Sequence, residues 1–204
     1  RIQDGVNKHR PGYDLTFSAP KSVSMLAMLG GDKRLIDAHN RAVTVALNQV
    51  ESLASTRVKR DGVSETVLTG NLIIARFNHD TSRAQDPQIH THSVVINATQ
   101  NGDKWQTLAS DTVGKTGFSE NILANRIALG KIYQNSLRAD VESMGYKTVD
   151  AGKNGMWEME GVPVESFSTR SQELREAAGP DASLKSRDVA ALDTRKSKEA
   201  IDPA

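Results

Sequence analysis

The sequence predicts an α+β protein in which helices pack on a central antiparallel β-sheet. Three observations support this class. At 204 residues, the chain has the length of a single domain. Its β-rich and helical segments follow one another in the order β-α-α-β-β-β-α-β-β. A short turn at Asn101-Gly102 joins neighbouring strands as a hairpin, which requires an antiparallel arrangement.

The first part of the chain is expected to contain one strand and two helices. Residues 1–12 have the composition of a loop, and the alternating segment YDLTFS (13–18) predicts a strand. Ser18 and Pro20 favour the start of a helix that ends at Gly30-Gly31. Asp32 is expected to cap a second helix over residues 33–55. The apolar face predicted for that helix contains Leu35, Ala38, Ala42, Val45, Gln49 and Leu53.

The remainder of the chain predicts a larger number of strands. A turn at Asp61-Gly62 precedes a β-branched run that predicts a strand over 71–78. The return strand is QIHTHSVVINATQ (88–100), and KWQTL (104–108) completes a hairpin with it. Ser119 is expected to begin the longest helix, which ends at Gly145. The segments YKTVD (146–150) and GMWEME (155–160) predict a last hairpin.

Residues 168–204 differ in composition from the rest of the chain. They are rich in charge, Ser and Ala and poor in large apolar side chains, so we expect a mobile segment beside a core formed by residues 1–167. The chain has no cysteine, which excludes disulfides and thiolate metal ligands. No apolar run approaches the ~20 residues that cross a bilayer. The chain starts without Met and reads as a segment of a longer protein.

The segment HDTSRAQDPQIHTH (79–92) holds three of the five histidines. His90 and His92 are two residues apart in a predicted strand, so they share a face at a spacing of about 7 Å. His79 ends the preceding strand, and pairing of the two strands would bring a third imidazole to the same place. Three neutral imidazoles with open positions can form a metal site that also binds water or a phosphate oxygen. The alternative is a set of ordinary surface or hydrogen-bonded histidines, as expected for His9 and His39.

Four other residues are candidates with two interpretations each. Asp14, at the start of the first strand, either orients a metal-bound histidine or acts as a base, or it is a turn aspartate. Arg83, between the histidines, either clamps a phosphate or is a solvated loop residue. On the long helix, Arg126 and Gln134 either belong to the solvent-exposed face or read base edges of a nucleic acid.

Two blocks read together, GYDLTFSAPKSVS (12–24) and HDTSRAQDPQIHTHSVVIN (79–97), resemble the conjugative relaxases of the TraI/TrwC type in the HUH endonuclease superfamily. The resemblance extends over essentially the whole chain, including KTGFSEN (115–121) and GMWEM (155–159), and is greatest to F-type plasmid relaxases. It implies a sheet on which His79, His90 and His92 hold one divalent ion, with Asp14 beside them. Mg²⁺ is the expected ion in the cell, with Mn²⁺ or Zn²⁺ as alternatives.

The resemblance also implies an activity on single-stranded DNA at a plasmid's origin of transfer. Such enzymes nick and rejoin one strand by transesterification: the ion polarises the scissile phosphate and a tyrosine attacks it, leaving a 5′-phosphotyrosyl intermediate and a free 3′-hydroxyl. The family's nucleophilic tyrosines lie near the native N-terminus, before residue 1 of this sequence. We therefore expect this chain to lack both the nucleophile and the N-terminal part of the fold, and not to nick DNA alone.

Further expectations concern partners and location. The resemblance implies that residues 168–204 form a mobile cover over the DNA, with Arg170, Arg187 and Lys196 as backbone contacts. It implies a monomer in the cytoplasm of a bacterial donor cell, without membrane insertion, which works with relaxosome accessory proteins and the conjugation machinery and is transferred with the DNA. Two alternatives stay open: a metal-dependent phosphodiesterase that activates water and forms no protein adduct, and a single-stranded-DNA-binding module that needs no metal.

Overall fold

The structure, a computed structural model, describes residues 2–3, 6–7, 10–111, 114, 116–167 and 176. In these residues the strands pair in antiparallel fashion and combine with three α-helices, which confirms the α+β class. The helices are α1 (Lys21–Met28), α2 (Arg34–Ser52) and α3 (Phe118–Ser143). The strands are β1 (Ile2–Gln3), β2 (Val6–Asn7), β3 (Gly12–Ser18), β4 (Ser55–Arg60), β5 (Val63–Leu68), β6 (Ile74–Thr81), β7 (Pro87–Ile96), β8 (Thr99–Asn101), β9 (Lys104–Gln106), β10 (Thr148–Asp150) and β11 (Trp157–Met159).

A three-stranded sheet in the order β3-β7-β6 forms the centre of the molecule. Strand β7 is hydrogen-bonded to β3 on one side and to β6 on the other. The other strands form two-stranded hairpins, of which β8–β9 and β10–β11 agree with the predicted hairpins. The sheet therefore presents one long central strand whose two faces have different neighbours.

The helices cover one face of this sheet. Along β7, residues Ile89, Thr91, Ser93 and Val95 are buried, in alternation with more accessible residues. Phe17 of β3 lies on the same face, and its ring centroid is 5.5 Å from that of Tyr133 in α3. Burial of these side chains against α2 and α3 supplies the apolar core, since each buried aliphatic or aromatic side chain contributes about 1.5–3 kcal/mol. The opposite face of the sheet carries the residues of the candidate site.

Several predicted helix features need correction. Helix α1 begins at Lys21 after Pro20, and Ser18 belongs to β3, so Ser18 is not the cap. Instead the Glu158 carboxylate accepts the Ser22 backbone N–H at 2.8 Å, and its negative charge suits the positive end of the helix. The apolar face of α2 is rotated by about 60° around the helix axis from the prediction. Val45 and Gln49 are exposed, whereas the buried positions are Leu35, Ala38, His39, Ala42, Val43, Ala46, Leu47 and Val50.

The strand predictions were wrong in three places. Residues 1–12 were expected to be a loop, but they include β1, β2 and the first residue of β3. The turn at Asp61-Gly62 joins β4 and β5, a hairpin that was not predicted. The strand expected over 71–78 is β6, which runs later, from Ile74 to Thr81.

Two sequence expectations cannot be compared with the fold. The segment 168–204, with Arg170, Arg187 and Lys196, lies outside the described residues apart from Glu176. His9 lies outside them as well. Within the part of the chain that the structure describes, no helix has the length and apolar character needed to cross a membrane.

Candidate metal centre

The pairing of β6 with β7 brings the three histidines together. His79 is the direct cross-strand partner of His90, and His92 follows two residues later on the same face. The strand register predicted from the spacing of these residues is therefore present. Immediately after His79 the register shifts, before Thr81 pairs with Pro87. The histidines thus lie at the end of the regular part of the ladder.

The three imidazole rings form a compact triangle. Ring centroids are 5.1 Å apart for His79 and His90, 5.4 Å for His79 and His92, and 5.4 Å for His90 and His92. Three imidazoles bound to one ion through bonds of about 2.0–2.1 Å would have their ring centres roughly 5 Å apart. The spacing fits one ion. Among the described residues, however, no three His, Cys, Asp or Glu side chains are already arranged as a ready-made metal site, so the rings would need to rotate to bind one.

Hydrogen bonds define the protonation of two of these rings. His90 Nδ1 lies 2.9 Å from the backbone oxygen of Gln88, and His92 Nδ1 lies 2.7 Å from the Asp14 carboxylate. A carbonyl and a carboxylate only accept hydrogen bonds, so each Nδ1 carries the proton of a neutral ring. The lone pair is then on Nε2 of both rings. This is the tautomer in which imidazole binds metals through Nε2.

Asp14 reaches His92 diagonally across the sheet. It pairs in register with Val94, while the partner of His92 is Thr16, whose hydroxyl oxygen is 3.1 Å from the same Nδ1. The side chain of Asp14 is 51% exposed, and that of His92 36%. The position of Asp14 fits the expectation that it orients a histidine, and it is not a turn aspartate because it lies inside β3.

A cleft of about 550 Å³ begins at Asp14 and extends along α3. Arg10, Glu120 and Arg126 are among the charged residues that line it. The Arg126 guanidinium donates to the backbone oxygen of Leu123 at 2.9 Å and remains exposed. The cleft is wide enough for a drug-sized or nucleotide-sized group, which matches the 300–1,000 Å³ range of ligand sites.

Gln134 is not on this surface, which corrects the prediction of a shared exposed face with Arg126. Its side chain is 6% exposed, and its Nε2 donates to the backbone oxygen of Ser18 at 3.2 Å. Its Oε1 is buried without a hydrogen-bond partner in the described part of the chain. In this conformation the amide is not accessible to a base edge. The helix period placed Gln134 near Arg126, but the packing of β3 and Trp157 against this turn of α3 covers it.

Arg83 lies in the loop that connects β6 to β7. The loop turns through a hydrogen bond from Ser82 N–H to the Asp86 backbone oxygen at 2.9 Å, with Gln85 at a positive φ of 61°. Arg83 is exposed and lies four residues after His79. Its suggested contact with a phosphate stays a prediction.

None of the three tyrosines lies among the histidines. Tyr13 pairs with Val95 on the buried face of the sheet, and its ring meets that of Phe118 edge-on at 5.7 Å. Tyr133 is 2% exposed, and burial raises the pKa of its hydroxyl. The hydroxyl of Tyr146 donates to the Asp32 carboxylate at 2.7 Å. The expectation that the nucleophilic tyrosine lies outside this chain stays a prediction.

His39 makes ordinary hydrogen bonds, as one of the two expectations for it stated, but it makes them in the core. It is 1% exposed in α2, and burial lowers the pKa of its imidazole to about 4, with smaller effects from Arg76 and His90. Its ring nitrogens contact Tyr133 and Thr91 on the far side of β7 from the histidine cluster. One signal was available: His39 falls between Ala38 and Ala42 on the helix, where a surface histidine is not expected.

Comparison with known proteins gives a consistent result. The TrwC relaxase family model matches residues 2–204. The multifunctional conjugation protein TraI of Escherichia coli is 75% identical to this chain over 203 residues. That match covers all of this chain but 12% of TraI, so the chain spans about an eighth of the length of this relative.

Solved structures extend the comparison. The conjugative relaxase TrwC in complex with oriT DNA, in a metal-free form, has a TM-score of 0.83 with 33% identity over 98% of this chain and 72% of TrwC. A copper-bound TrwC complex with oriT DNA also gives 0.83, with 34% identity over 98% of this chain and 70% of TrwC. This chain therefore has the fold of TrwC. The TrwC structures contain oriT DNA, one without metal and one with copper bound.

Proposed function

The chain belongs to the TrwC relaxase family, and we propose that it is the part of a conjugative relaxase that holds single-stranded DNA at a plasmid's origin of transfer for nicking and rejoining. The observation that supports this most is the triangle of His79, His90 and His92, in which two rings direct Nε2 away from their Nδ1 partners. TrwC was solved with oriT DNA and in a copper-bound form, which supports both a DNA and a metal ligand for this chain.

We propose His79, His90 and His92 as the ligands of one divalent ion. The donor set fits: three neutral imidazoles suit Zn²⁺, Cu²⁺ and related ions, while Mg²⁺ and Mn²⁺ ordinarily prefer oxygen ligands, and Mg²⁺ would retain several waters here. When bound, such an ion would neutralise negative charge on a phosphate oxygen. Asp14 holds His92 in the required tautomer, and the Gln88 carbonyl does the same for His90.

The DNA strand is proposed to lie along the cleft beside Asp14. Arg126 and Arg10 on its walls would neutralise phosphates or contact bases. Arg83, in the loop after His79, would reach a phosphate on the other side of the cluster. For residues 168–204, the proposal of a cover over the DNA, with Arg170, Arg187 and Lys196 as contacts, rests on the sequence alone.

The chemistry requires a nucleophile beyond the residues named so far. In the proposed reaction a tyrosine oxygen bonds to phosphorus while the bond from phosphorus to the 3′-oxygen breaks. The tyrosine loses its proton, and the released 3′-oxygen gains one. The strand keeps its 5′-phosphate on the protein, and the reverse attack by the 3′-hydroxyl rejoins it. Since Tyr13, Tyr133 and Tyr146 are placed away from the histidines, we propose that the nucleophile belongs to a segment preceding residue 1.

The test uses a longer protein that includes the preceding segment, beside the 204-residue chain. Each is incubated with single-stranded DNA from the transfer origin of its own plasmid, with Mg²⁺ or with EDTA, and examined on a denaturing gel. We expect a metal-dependent protein–DNA adduct from the longer protein only. His90→Ala should abolish the adduct, and Asp103→Ala, a change in a distant turn, should not.

Other results would select the alternatives. Cleavage without an adduct would indicate a phosphodiesterase that activates water. DNA binding that is unaffected by EDTA and by His90→Ala, with no cleavage by either protein, would indicate a binding module.

A further inference from the structure

Beneath the histidine cluster, on the helix-covered face of the sheet, lies a chain of four hydrogen bonds that runs from buried residues to the exposed Asn78. It begins at Tyr133 in α3, whose hydroxyl is 2.7 Å from His39 Nδ1. His39 Nε2 is 2.8 Å from the hydroxyl oxygen of Thr91 in β7. Thr91 donates to Asn78 Oδ1 in β6 at 2.8 Å, and Asn78 Nδ2 donates to Asn40 Oδ1 at 3.2 Å. The chain thus links two helices to the two strands that carry the histidines.

The orientation of the Asn78 and Asn40 amides sets the directions of the bonds in this chain. The Thr91 hydroxyl uses its single proton toward Asn78, so toward His39 it must accept. His39 therefore carries its proton on Nε2, and its Nδ1 accepts the proton of Tyr133. A charged ring could donate to both hydroxyl oxygens, so the neutral state follows from burial, which lowers the pKa of His39 to about 4.

The position of the chain relative to the candidate ligands is specific. Thr91 lies between His90 and His92, and Asn78 immediately precedes His79. Asn78 and Thr91 are also direct cross-strand partners, one step from the pair His79 and His90. Successive side chains of a strand point to opposite faces. Hydrogen bonds that hold Thr91 and Asn78 on the helix-covered face therefore also hold the backbone from which the three histidines project on the other face.

We propose that Thr91, held by the buried His39 and Tyr133, is a positioning residue for the histidine cluster, and that this hydrogen-bond chain sets the metal affinity of the cluster by fixing the register and height of β7 against β6. The inference rests on the proposed function, since it requires the histidines to bind a metal. A buried polar chain that is fully satisfied in only one arrangement specifies that arrangement more strictly than apolar packing does. The low pKa of His39, about 4, keeps the ring neutral at neutral pH.

The test compares hydroxyl deletions that differ only in location. Thr91→Val removes the hydroxyl at nearly constant shape, and Thr91→Ser keeps it. Thr56→Val is the matched control: Thr56 is 1% exposed and Thr91 0%, and the Thr56 hydroxyl donates to the Thr107 backbone oxygen, away from the cluster. Tyr133→Phe removes the other end of the chain, with Tyr146→Phe as its control. The Co²⁺ dissociation constant and the visible absorption spectrum of the Co²⁺ form are measured for each, with thermal unfolding recorded in parallel.

We expect Thr91→Val to weaken Co²⁺ binding about tenfold and to change the spectrum, whereas Thr91→Ser restores most of the affinity. Thr56→Val should lower the unfolding temperature without changing either metal readout. Imidazole ¹⁵N NMR of the unaltered protein should find His39 neutral with its proton on Nε2. If Thr91→Val does not fold, Tyr133→Phe provides the same comparison, with a smaller loss of affinity expected.

The outcomes separate this inference from the proposed function. If the unaltered protein binds no Co²⁺, the proposed metal site is wrong and this inference is overturned with it. If the unaltered protein binds Co²⁺ and the folded Thr91→Val and Tyr133→Phe variants bind it equally well, this inference alone is overturned. A proton on His39 Nδ1, or a charged His39 at pH 7, would also overturn it.

Discussion

At the scale of single residues, the candidate site depends on which atoms accept hydrogen bonds. The carboxylate of Asp14 and the carbonyl of Gln88 can only accept, so they assign the proton of His92 and His90 to Nδ1. The same argument gives His39 the opposite tautomer, because Thr91 has already used its proton. Each of these three imidazoles, two in β7 and one in α2, therefore has a proton position that follows from its neighbours.

Asp14→Ala is expected to weaken metal binding by about 10- to 100-fold, because His92 loses the partner that fixes its ring orientation. The metal affinity of Asp14→Asn should lie between those of Asp14→Ala and the unaltered protein, since the amide oxygen still accepts the Nδ1 proton but without the negative charge. Competition of the protein with a fluorescent chelator measures the affinity. Asp103→Ala, in the exposed turn after β8, serves as the control. Equal affinities for Asp14→Ala and the control would refute the role given to Asp14.

The pKa of His39 predicts a pH dependence of stability. Burial, with the nearby Arg76 and His90, lowers the pKa from 6.5 to about 4, and the Tyr133 hydroxyl faces the same ring. As the pH falls below 6.5, the unfolded chain takes up a proton that the folded protein does not, so the free energy of unfolding decreases. The loss is about 2 kcal/mol between pH 7 and pH 5 and about 3 kcal/mol in full. Urea unfolding in EDTA at several pH values measures it.

The comparison for that experiment is His39→Gln, which is less stable at every pH but lacks this titration. The difference in unfolding free energy between the two proteins should shrink as the pH falls from 7 to 5. A constant difference would mean that His39 takes up its proton at the same pH in the folded and the unfolded protein, which contradicts the lowered pKa in the folded state.

The sequence predicted the candidate ligands better than it predicted their surroundings. His90 and His92 share a face by strand alternation, and the pairing of His79 with His90 followed from the short loop between their strands. Gln134 was misplaced because helix period places it near Arg126, while its burial depends on β3, which is distant in sequence. The burial of His39 and the identity of its partners were not predicted for the same reason, since these partners lie 52 and 94 residues away.

At the scale of elements, accuracy depended on whether a segment has an apolar face. Strands β3 and β7 alternate buried and accessible residues, and both were predicted. The β4–β5 hairpin was missed because β5 is exposed at nearly every position. Its two-residue turn, in which Asp61 and Gly62 have positive φ of 48° and 83°, was recognised without its strands.

Gly12 determines how closely β3 approaches β7. A Cβ added there would overlap the carbonyl oxygen of Val95, so Gly12→Ala must push the two strands apart. We expect a loss of about 2 kcal/mol in unfolding free energy and weaker metal binding, because Asp14 moves with β3. Chemical denaturation and metal titration measure the two effects.

Gly130→Ala, in α3, is the control for Gly12→Ala, because it makes the same change at a position with free space. Nothing outside the helix backbone lies within 4 Å of a Cβ added there, so the change should stabilise the protein by about 0.5–1 kcal/mol. Metal affinity should be unaltered. Destabilisation by Gly130→Ala, or tolerance of Gly12→Ala, would contradict the described packing.

At the scale of the whole molecule, the sheet separates two environments. The helices and the buried aromatic and aliphatic side chains lie on one side, and the histidine cluster lies on the other. The core therefore packs without contact to a bound ligand, while the histidine cluster is held in place by the packing of β7 on the core. This arrangement is consistent with TrwC having been solved both metal-free and copper-bound.

Metal binding is expected to stabilise the whole chain. An ion at 100 times its dissociation constant adds about 2.7 kcal/mol to the unfolding free energy. For a chain of this length that corresponds to a rise of roughly 5–10 °C in Tm. Differential scanning fluorimetry with Mn²⁺ or Zn²⁺ measures the rise, which should disappear in His90→Ala. An equal rise in that variant would place the bound metal elsewhere.

The central strand gives the three histidines unequal freedom to adjust. His90 and His92 project from β7, which is hydrogen-bonded along both edges. His79 projects from β6, which within the described residues is bonded only to β7 and shifts register directly after His79. His90 and His92 are therefore held more rigidly than His79. Ions of different radius would be accommodated chiefly by displacement of His79, so tolerance for several cations and a well-fixed scissile position can coexist in one site.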